Sequence, residues 1–506
     1  MSSDFTALPD LAARSLRGAV IAASDDFFAE KENLLKPEPA RFLPDEYTDR
    51  GKWMDGWESR RKRVPGHDWA IVRLGVPGVV RGLVIDTAFF RGNYPSHASV
   101  EGCALPLDAP PAALLDPGVE WIELLPRAPL AGDSKNHFPV LAPWACTHLR
   151  LNIFPDGGVA RLRVHGEAVP DWRRQGHARG EVELAAADQG GDVIACSDMF
   201  FGERRNLIAP DRARHMGEGW ETRRRRGPGH DWALVRLAAR ATISRLIVDT
   251  HHFKGNYPDR CTVEAIDAPG AEAAALAEHA GWAPLLGESR LLADARHWFE
   301  EELAVRGPVT HLRLNVFPDG GVSRLRVYGS LDEEARQGLG LRRLNTLLPG
   351  AAAGELRAVC AARRWALAVA AGRPYASLAA LIAASDEAWS RTGAEDWHEA
   401  LAAHPRIGEQ KAAVAQGPAA AAWSTAEQAR VAGADDGIKA RLREINERYE
   451  ARFGFLYLVC AGGRSAEELL ALAEQRLGND PAHELTVAAA EQNAITRLRL
   501  RKLVEP

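Results

Sequence analysis

Apolar and polar residues alternate strictly in several short segments of the first two-thirds of the chain. Residues 149–153 and 161–165 each alternate with a period of two, and residues 69–74 and 83–87 are short runs rich in β-forming side chains. A period of two indicates strands with one buried face. The sequence PDGG from Pro155 separates the two alternating segments, and its glycines suit a tight turn. We therefore predict an antiparallel hairpin there.

The same pattern occurs twice. Residues 56–75 read GWESRRKRVPGHDWAIVRLG and residues 219–238 read GWETRRRRGPGHDWALVRLA, with 15 of 20 positions identical. Residues 147–166 and 310–329 form a second pair at the same offset of 163 residues. Short strands, Gly/Pro turns and almost no helical periodicity in each copy predict two all-β domains of the jelly-roll sandwich type.

The first copy is longer than the second. Residues 18–35 correspond to residues 191–208 at an offset of 173, so ten extra residues fall between Asn33 and Trp57. The stretch LPDEYTDRGKW within this interval predicts a loop.

The last third of the chain changes to a helical period. An apolar helix face is predicted at Ile438, Leu442, Ile445, Tyr449 and Phe453, with Gly454 ending the helix. Ser465 with Glu468 forms a capping box, and Asp480 before Pro481 predicts another helix start. These signals predict an all-helical domain.

The two patterns and their junctions predict five segments. The first repeat takes residues 1–168, a linker 169–190, the second repeat 191–330, a second linker 331–343, and the helical domain 344–506. A chain of 506 residues is long enough for about three such domains, each with its own core.

The charge and composition of the chain limit the classes of binding partner that we expect. The net charge is −5 with 26% charged residues of balanced sign, so neither nucleic acid nor an anionic membrane is an expected partner. The six cysteines contain no CxxC motif, and no segment resembles a signal peptide or a membrane span. We expect a cytoplasmic homo-oligomer that acts on small molecules.

Each copy carries one set of carboxylate, guanidinium and imidazole groups within eleven residues. Such a set suits an anionic, urea-like ligand, because arginine binds a carboxylate through two hydrogen bonds while His and Asp move a proton. The alternative is that these groups tie a loop to the sandwich. The residues are Glu58, Arg60, Arg61, His67 and Asp68, repeated as Glu221, Arg223, Arg224, His230 and Asp231.

Other repeated polar residues have simpler interpretations. Asn93 and Asn256 follow glycine and are predicted turn residues, as are Asp156 and Asp319 within PDGG. Four polar residues on the alternating strands either line a site or face solvent, and the pattern favours neither. These are Arg150, Asn152, Arg161 and Arg163. His137 and His297, together with acidic residues, are candidate ligands of a divalent metal ion, although no HxH or HExxH spacing occurs.

The repeated motifs resemble the allantoicase family, a tandem duplication whose members cleave allantoate to ureidoglycolate and urea. The resemblance rests on Asp55 to Glu58, Gly66 to Trp69, Asp86-Thr87 with Gly92-Asn93, and Pro155 to Arg163, together with their second-copy counterparts. It implies two jelly-roll domains. With allantoate as the ligand, we predict that arginines of the repeated set hold the substrate carboxylate. A histidine, His67 or His230, and a neighbouring acid would handle the proton. Because the copies differ at Phe89/His252 and His165/Tyr328, one copy is expected to carry more of the chemistry.

The helical domain has its own candidate residues. His404, followed by Pro405, and Glu427, in the sequence Ser424-Thr425-Ala426-Glu427-Gln428, form a candidate acid/base pair. Ser424 and Glu427 also fit a capping box, and His404 also fits a cap of the helix ending at Ala403.

This region resembles 2-oxo-4-hydroxy-4-carboxy-5-ureidoimidazoline (OHCU) decarboxylase, which produces (S)-allantoin. The matching features include Leu344-Asn345, Arg373-Pro374-Tyr375, the His-Pro site and YEARFGF from Tyr449. The resemblance implies cofactor-free decarboxylation, with His404, Ser424, Glu427 and Gln428 as catalytic residues and Pro405 and Phe455 at the substrate. Leu456-Tyr457 departs from the Pro-Phe that is usual in the family.

Together the resemblances predict a bifunctional enzyme of ureide breakdown with two non-consecutive reactions. The alternative is a pair of β-sandwich modules that bind carbohydrate-like ligands, fused to a helical decarboxylase.

Overall fold

The computed structural model of the protein describes residues 4–175, 180–304, 307–404, 423, 436–460 and 464–505. The chain divides into two compact units, Met1–Leu339 and Gly340–Pro506. The first contains both repeats and is built from β-strands, whereas the second is helical. The predicted fold class, two β-sandwich repeats followed by a helical domain, is confirmed.

Among the described residues of the first repeat, 4–168, there are eleven strands and one short α-helix, α1 (Pro111–Leu114). The strands are β1 (Ala19–Ala23), β2 (Tyr47–Thr48), β3 (Gly51–Lys52), β4 (Trp57–Glu58), β5 (Asp68–Asp86), β6 (His97–Cys103), β7 (Ile122–Pro129), β8 (Lys135–Pro139), β9 (Ala145–Phe154), β10 (Gly158–Val159) and β11 (Arg161–Ala168).

One strand of 19 residues, β5, organises the first repeat. Its first part pairs with β1 and β9 and its second part with β8 and β11, with a break in register between Arg73 and Gly78. Side chains from both parts, among them Val72 and Ile85, belong to one buried core. The strand therefore joins the two layers of a sandwich around that core.

The predicted hairpin around PDGG is wrong. The alternating residues 149–153 of β9 pair with the first part of β5, and β11 pairs with its second part, so the two alternating strands do not pair with each other. The connecting loop is anchored instead, because the Asp156 carboxylate accepts a hydrogen bond from the Lys62 backbone N–H at 2.7 Å. Gly158 is required here, since a Cβ would lie 1.9 Å from the Phe90 ring.

The second repeat follows the same plan. Its strands are β12 (Val182–Glu183), β13 (Asp192–Cys196), β14 (Trp220–Glu221), β15 (Asp231–Asp249), β16 (Arg260–Ile266), β17 (Ala283–Arg290), β18 (Arg296–Phe299), β19 (Val309–Phe317), β20 (Gly321–Val322) and β21 (Arg324–Leu331), with helix α2 (Ala273–Ala277). Strand β15 takes the place of β5 and pairs with β13, β18, β19 and β21.

The segments predicted as loop or linker contain regular structure. Within the ten-residue insertion, β2 and β3 form a two-stranded hairpin. Residues 169–190 include β12, which pairs with β21. Residues 331–343 lie mostly in helix α3 (Glu333–Thr346), because Asp332 accepts from the Ala335 N–H at 2.7 Å and begins it. Gly340 lets this helix approach the Val504 backbone, where a Cβ would lie 1.9 Å from the carbonyl oxygen.

The remaining helices among the described residues build the second unit. They are α4 (Pro349–Val359), α5 (Arg363–Ala371), α6 (Leu378–Ser390), α7 (Ala394–Ala402), α8 (Asp436–Phe453), α9 (Ala466–Arg476) and α10 (Pro481–Val504).

The helix signals of the sequence are confirmed. Leu442, Ile445 and Tyr449 are buried on one face of α8, and Gly454 follows it with φ of +77°. Ser465 and Glu468 form the capping box of α9, and Asp480 caps α10. No helix in the described part of the chain is long and apolar enough to cross a membrane.

The two fully buried tryptophans of the GWE motifs provide a test of the fold. Trp57 and Trp220 are 0% exposed, and each indole N–H donates to a loop carbonyl at 2.8 Å. We predict that Trp57→Ala and Trp220→Ala each lower the free energy of unfolding by about 3–5 kcal/mol, because each leaves a cavity. Denaturant titration measures this, with Trp298→Ala at an exposed site as control. Equal effects at all three sites would contradict the fold.

Candidate active sites

The sheet of the first repeat carries a pocket of about 430 Å³ on its face. His67 and Trp69 stand at the start of β5, and the neighbouring strands add side chains at every second position. Because alternate residues of a strand point to the same side, four adjacent strands converge on one cavity. The remaining lining residues are Ser99, Glu101, Glu123, Leu125, Arg150 and Asn152.

A carboxylate, a guanidinium and an amide form the floor of this pocket. Glu101 accepts hydrogen bonds from Arg150 Nε at 2.8 Å and from Asn152 Nδ2 at 3.0 Å. The Arg150 guanidinium also lies 4.5 Å from the centre of the Trp121 ring. These contacts fix the guanidinium and the amide in place before any ligand arrives.

One atom of this pocket lacks a partner. Asn152 is only 5% exposed, and no donor among the described residues bonds its Oδ1. A buried acceptor without a hydrogen bond costs about 1–3 kcal/mol. A ligand N–H at this position would satisfy it.

The second repeat carries the corresponding pocket, of about 550 Å³. Glu264 accepts from Arg313 Nε at 2.7 Å and from Asn315 Nδ2 at 2.9 Å. Burial raises the pKa of Glu264, but these hydrogen bonds outweigh it and hold that pKa below its ordinary value. His230 and Trp232 occupy the positions of His67 and Trp69.

The two pockets differ in ways that bear on chemistry. In the second, His230 Nε2 lies 3.2 Å from Asn315 Oδ1, the acceptor that has no partner in the first. Glu123 at the rim of the first pocket is replaced by Pro284. The first pocket therefore offers one more carboxylate and one more unused acceptor.

The predicted binding residues before GHDW lie outside these pockets, with Glu58 and Glu221 in the short strands β4 and β14 and the arginines just after them. Glu58 accepts from Asn93 Nδ2 at 2.8 Å, and burial raises the pKa of Glu58. Arg60 bonds Asp25 at 2.7 Å and stacks on Phe27. In the second copy, Glu221 likewise accepts a hydrogen bond from Asn256 Nδ2, and the Arg223 guanidinium lies over the Phe200 ring. Arg61 and Arg224 are exposed. None of these residues lines the two pockets described above.

The GHDW aspartates hold loops and are not partners of the histidines. Asp68 is buried and accepts from Ser24 Oγ at 2.9 Å and from Lys62 Nζ at 2.6 Å. Asp231 likewise accepts from Ser197 Oγ at 3.0 Å and pairs with Arg225. For these two residues, the contacts favour the alternative in which they tie a loop to the sandwich.

The other polar residues considered from the sequence also fall into two groups, those that line a pocket and those that hold the fold together. Arg150 and Asn152 line a pocket, whereas Arg161 is buried against Asp55 at 2.8 Å and Arg163 bonds loop carbonyls. The histidines considered for a metal instead contact main-chain groups: His137 contacts the Lys135 carbonyl, and His297 the Val248 carbonyl and the Leu292 N–H. In the described part of the chain, no group of three His, Cys, Asp or Glu side chains is arranged to hold a metal ion.

Sequence reasoning missed Trp69, Ser99, Glu101 and Glu123. A signal was present, because Ser99-Val100-Glu101 recurs as Thr262-Val263-Glu264 at the same offset as the longer motifs. It was overlooked because two polar residues on a short strand resemble any solvated strand face.

In the helical unit, His404 lies just after α7 and is buried. Its Nε2 lies 2.7 Å from Oε1 of Gln492 on α10, so its side chain does not cap α7. Burial and the nearby Arg499 lower the pKa of His404 to about 3, which makes the imidazole neutral at pH 7. The predicted residues Pro405, Ser424, Glu427 and Gln428 lie outside the described residues.

The residues around the family's Gly-Phe motif pack in the core. Phe455 is buried against Tyr449, and its ring lies 5.7 Å from that of His398. Tyr457 is also buried, and its hydroxyl donates to the Leu469 carbonyl at 3.2 Å. The Leu456-Tyr457 departure thus places a tyrosine in the core.

Comparison with known proteins matches the two repeats to one family and the helical domain to another. The Allantoicase repeat family matches residues 9–169 and 182–332. The chain belongs to the allantoicase family. A probable allantoicase of Burkholderia mallei is 50% identical over 326 residues, which cover 64% of this chain and 95% of that protein. One from Pseudomonas fluorescens is 46% identical and covers 66% of this chain and 99% of its own length.

The crystal structure of Saccharomyces cerevisiae allantoicase is 33% identical with a TM-score of 0.53, covering 63% of this chain and 92% of that one. The OHCU decarboxylase family matches residues 345–501. The chain is therefore a bifunctional enzyme of purine catabolism, a hydrolase joined to a decarboxylase. The prediction made from the two resemblances is confirmed, and the carbohydrate-binding alternative is not favoured.

Metal dependence is testable directly. We predict that exhaustive chelation leaves CO2 release from OHCU unchanged, because the described part of the decarboxylase unit offers no cluster of ligands for a metal ion. The same preparation, dialysed with and without chelator, is the comparison. Loss of activity that Zn²⁺ or Mn²⁺ restores would overturn the prediction.

Proposed function

We propose that allantoate is cleaved in the sheet-face pocket of the first repeat. The observation that carries this proposal is the buried, unpartnered Oδ1 of Asn152. Allantoate has one carboxylate and two ureido groups, and ureido N–H groups are donors that such an acceptor would bind. The supporting contacts are those that hold Arg150 and Asn152 to Glu101.

The three polar residues of the pocket floor then have separate roles. Arg150 bonds Glu101 through Nε and Nη2. Its Nη1 is then left to bind the substrate carboxylate. Asn152 orients one ureido group, and Glu101 holds both side chains in place. The apolar wall of Trp69 limits access of water.

His67 handles the proton. The bond between the methine carbon and one ureido nitrogen breaks, and the oxygen of a water molecule bonds to that carbon. One proton of this water moves through His67 to the departing nitrogen, which leaves as urea. The histidine stands at the pocket rim beside Phe154, with ring centres 4.7 Å apart, where it reaches both water and substrate.

The second pocket binds the same class of ligand less strongly in this proposal. A ureido N–H there must displace His230 from Asn315, and Pro284 supplies no carboxylate. The first repeat therefore carries most of the hydrolysis. Glu58, in β4, and the following Arg60 and Arg61 would support the fold and would not bind the substrate.

In the helical unit, His404 is the proton carrier for decarboxylation. As the bond to the carboxylate of OHCU breaks and CO2 leaves, the neutral imidazole takes the proton of the substrate hydroxyl. It then returns this proton to the ring carbon that becomes C–H in (S)-allantoin. Glu427, with Ser424 and Gln428, would orient the hydroxyl, and Pro405 and Phe455 would border the substrate.

The enzyme is proposed to act in the cytoplasm as a homo-oligomer. Its balanced charge supports a small-molecule role. Exposed Phe200 and Phe201 on the second repeat support association with another copy. Because the decarboxylase product needs ring opening before it becomes allantoate, the two sites do not pass a product directly between them.

Matched variants of the two pockets test the first proposal. We predict that Asn152→Ala lowers kcat/KM for urea release by about 10-fold to 100-fold, since a hydrogen bond to the ligand is lost. Asn315→Ala should have a smaller effect, and His67→Ala a larger one than His230→Ala. Circular dichroism checks the fold of each variant. If both first-repeat variants keep wild-type urea release, the pocket assignment is wrong.

A single substitution in the helical unit tests the second proposal. His404→Ala should reduce CO2 release from OHCU by about 10²-fold to 10⁴-fold, the usual contribution of a proton-transfer group. Urea release from allantoate by the same preparation is the internal control and should not change. A folded variant that loses both activities would show that the sites depend on each other.

A further inference from the structure

We propose that Gln492 and Thr496 on α10 are positioning residues that fix the protonation pattern of His404. They hold its proton on Nε2 and leave Nδ1 as the atom that exchanges a proton with the substrate. This inference rests on the proposed role of His404 as the proton carrier of the decarboxylase.

The direction of each hydrogen bond follows from the one proton of a hydroxyl group. Thr496 Oγ1 donates to the Gln492 main-chain carbonyl at 2.9 Å. Having used its proton, it can only accept from the Gln492 side chain, which lies at 3.2 Å. The amide nitrogen of Gln492 therefore faces Thr496, and its oxygen faces His404.

The amide oxygen in turn decides the state of the imidazole. Gln492 Oε1 lies 2.7 Å from His404 Nε2, and an amide oxygen only accepts. Nε2 must carry a hydrogen atom. A neutral imidazole has one N–H, so the lone pair is left on Nδ1.

The surroundings keep the imidazole neutral. Gln492 and Thr496 are 0% exposed and His404 is 8% exposed, so water does not compete for these bonds. Arg499, also on α10, is the charged group that acts on the ring among the described residues, and it disfavours the imidazolium. The buried thiol of Cys360, after α4, contacts Thr496, and burial raises the pKa of that thiol to about 11. It is uncharged at neutral pH.

This arrangement suits a group that must first accept a proton. An imidazole that presented N–H to the substrate could not take up the hydroxyl proton. Gln492 and Thr496 do not need to touch the substrate for this effect, because they act only through the orientation and protonation of His404.

Three variants of the full chain test the proposal by their rates of CO2 release from OHCU. Gln492→Ala should lower kcat at least about 10-fold with little change in KM, a part of what proton transfer contributes. Thr496→Val keeps the shape of the side chain but removes the hydroxyl, so it should also lower kcat. Thr496→Ser keeps the hydroxyl and should retain the rate. Circular dichroism of each variant should match that of the wild type, which checks the helical unit, and urea release from allantoate should be unchanged, which checks the unit of the two repeats.

Gln492→Glu gives a readout that a purely structural role would not change. The introduced carboxylate beside Nε2–H favours the imidazolium and raises the pKa of His404. Since the reaction needs the neutral ring, the acidic limb of kcat/KM against pH should move upward by about 1 unit or more. A lower rate for Gln492→Ala and Thr496→Val together with this shift supports the proposal.

Failure of this inference is distinguishable from failure of the proposed function. If His404→Ala abolishes CO2 release while Gln492→Ala and Thr496→Val keep the wild-type kcat, and Gln492→Glu keeps the wild-type pH profile, the positioning role is wrong. If His404→Ala itself releases CO2 at the wild-type rate, the proposed proton carrier is wrong.

Discussion

The β-unit depends on one constraint, a single long strand in each repeat that must serve both layers of its sandwich. Strands β5 and β15 pair with different neighbours along their two halves, yet bury their side chains in a common core. This fixes the start of each strand between two neighbours, β1 and β9 in the first repeat and β13 and β19 in the second. On the outer face at that point, side chains of four strands meet. The histidine of each GHDW motif stands at that point. The candidate pocket is thus a consequence of how the sandwich closes.

Around the candidate pocket of the first repeat, hydrogen bonds separate the side chains that hold the fold together from one that keeps an unused acceptor. Asp68, Arg161 and Glu58 have charged or amide partners and hold loops or strands together. Asn152 Oδ1 is buried without one. The same reasoning underlies our proposal for the helical unit, in which Gln492 Oε1 lies against His404 Nε2 and Nδ1 is left for proton transfer. The duplicated repeat provides a comparison: in the second repeat His230 contacts Asn315 Oδ1, whereas the corresponding Asn152 Oδ1 of the first repeat has no such contact.

Much of the fold follows from local patterns in the sequence. Alternation with period two and the capping signals at Ser465 and Asp480 are local properties, and they predicted both fold classes and the helix starts. Strand pairing is not local. The alternation of residues 149–153 and 161–165 predicted two strands, but only the tertiary structure shows that both pair with β5 and not with each other. For the same reason, closeness in sequence grouped His67 with Glu58 and Asp68, whereas in the structure His67 shares its pocket with Glu101, more than thirty residues away.

The central claim is that one chain carries both chemistries. The most direct measurement is to give a single purified preparation of the full chain allantoate and, separately, freshly made OHCU, and to quantify urea and CO2. The account predicts urea from the first substrate and CO2 from the second, with the rate of urea release unchanged when saturating OHCU is present. A folded preparation that releases only one product, or in which OHCU suppresses urea release, would contradict it.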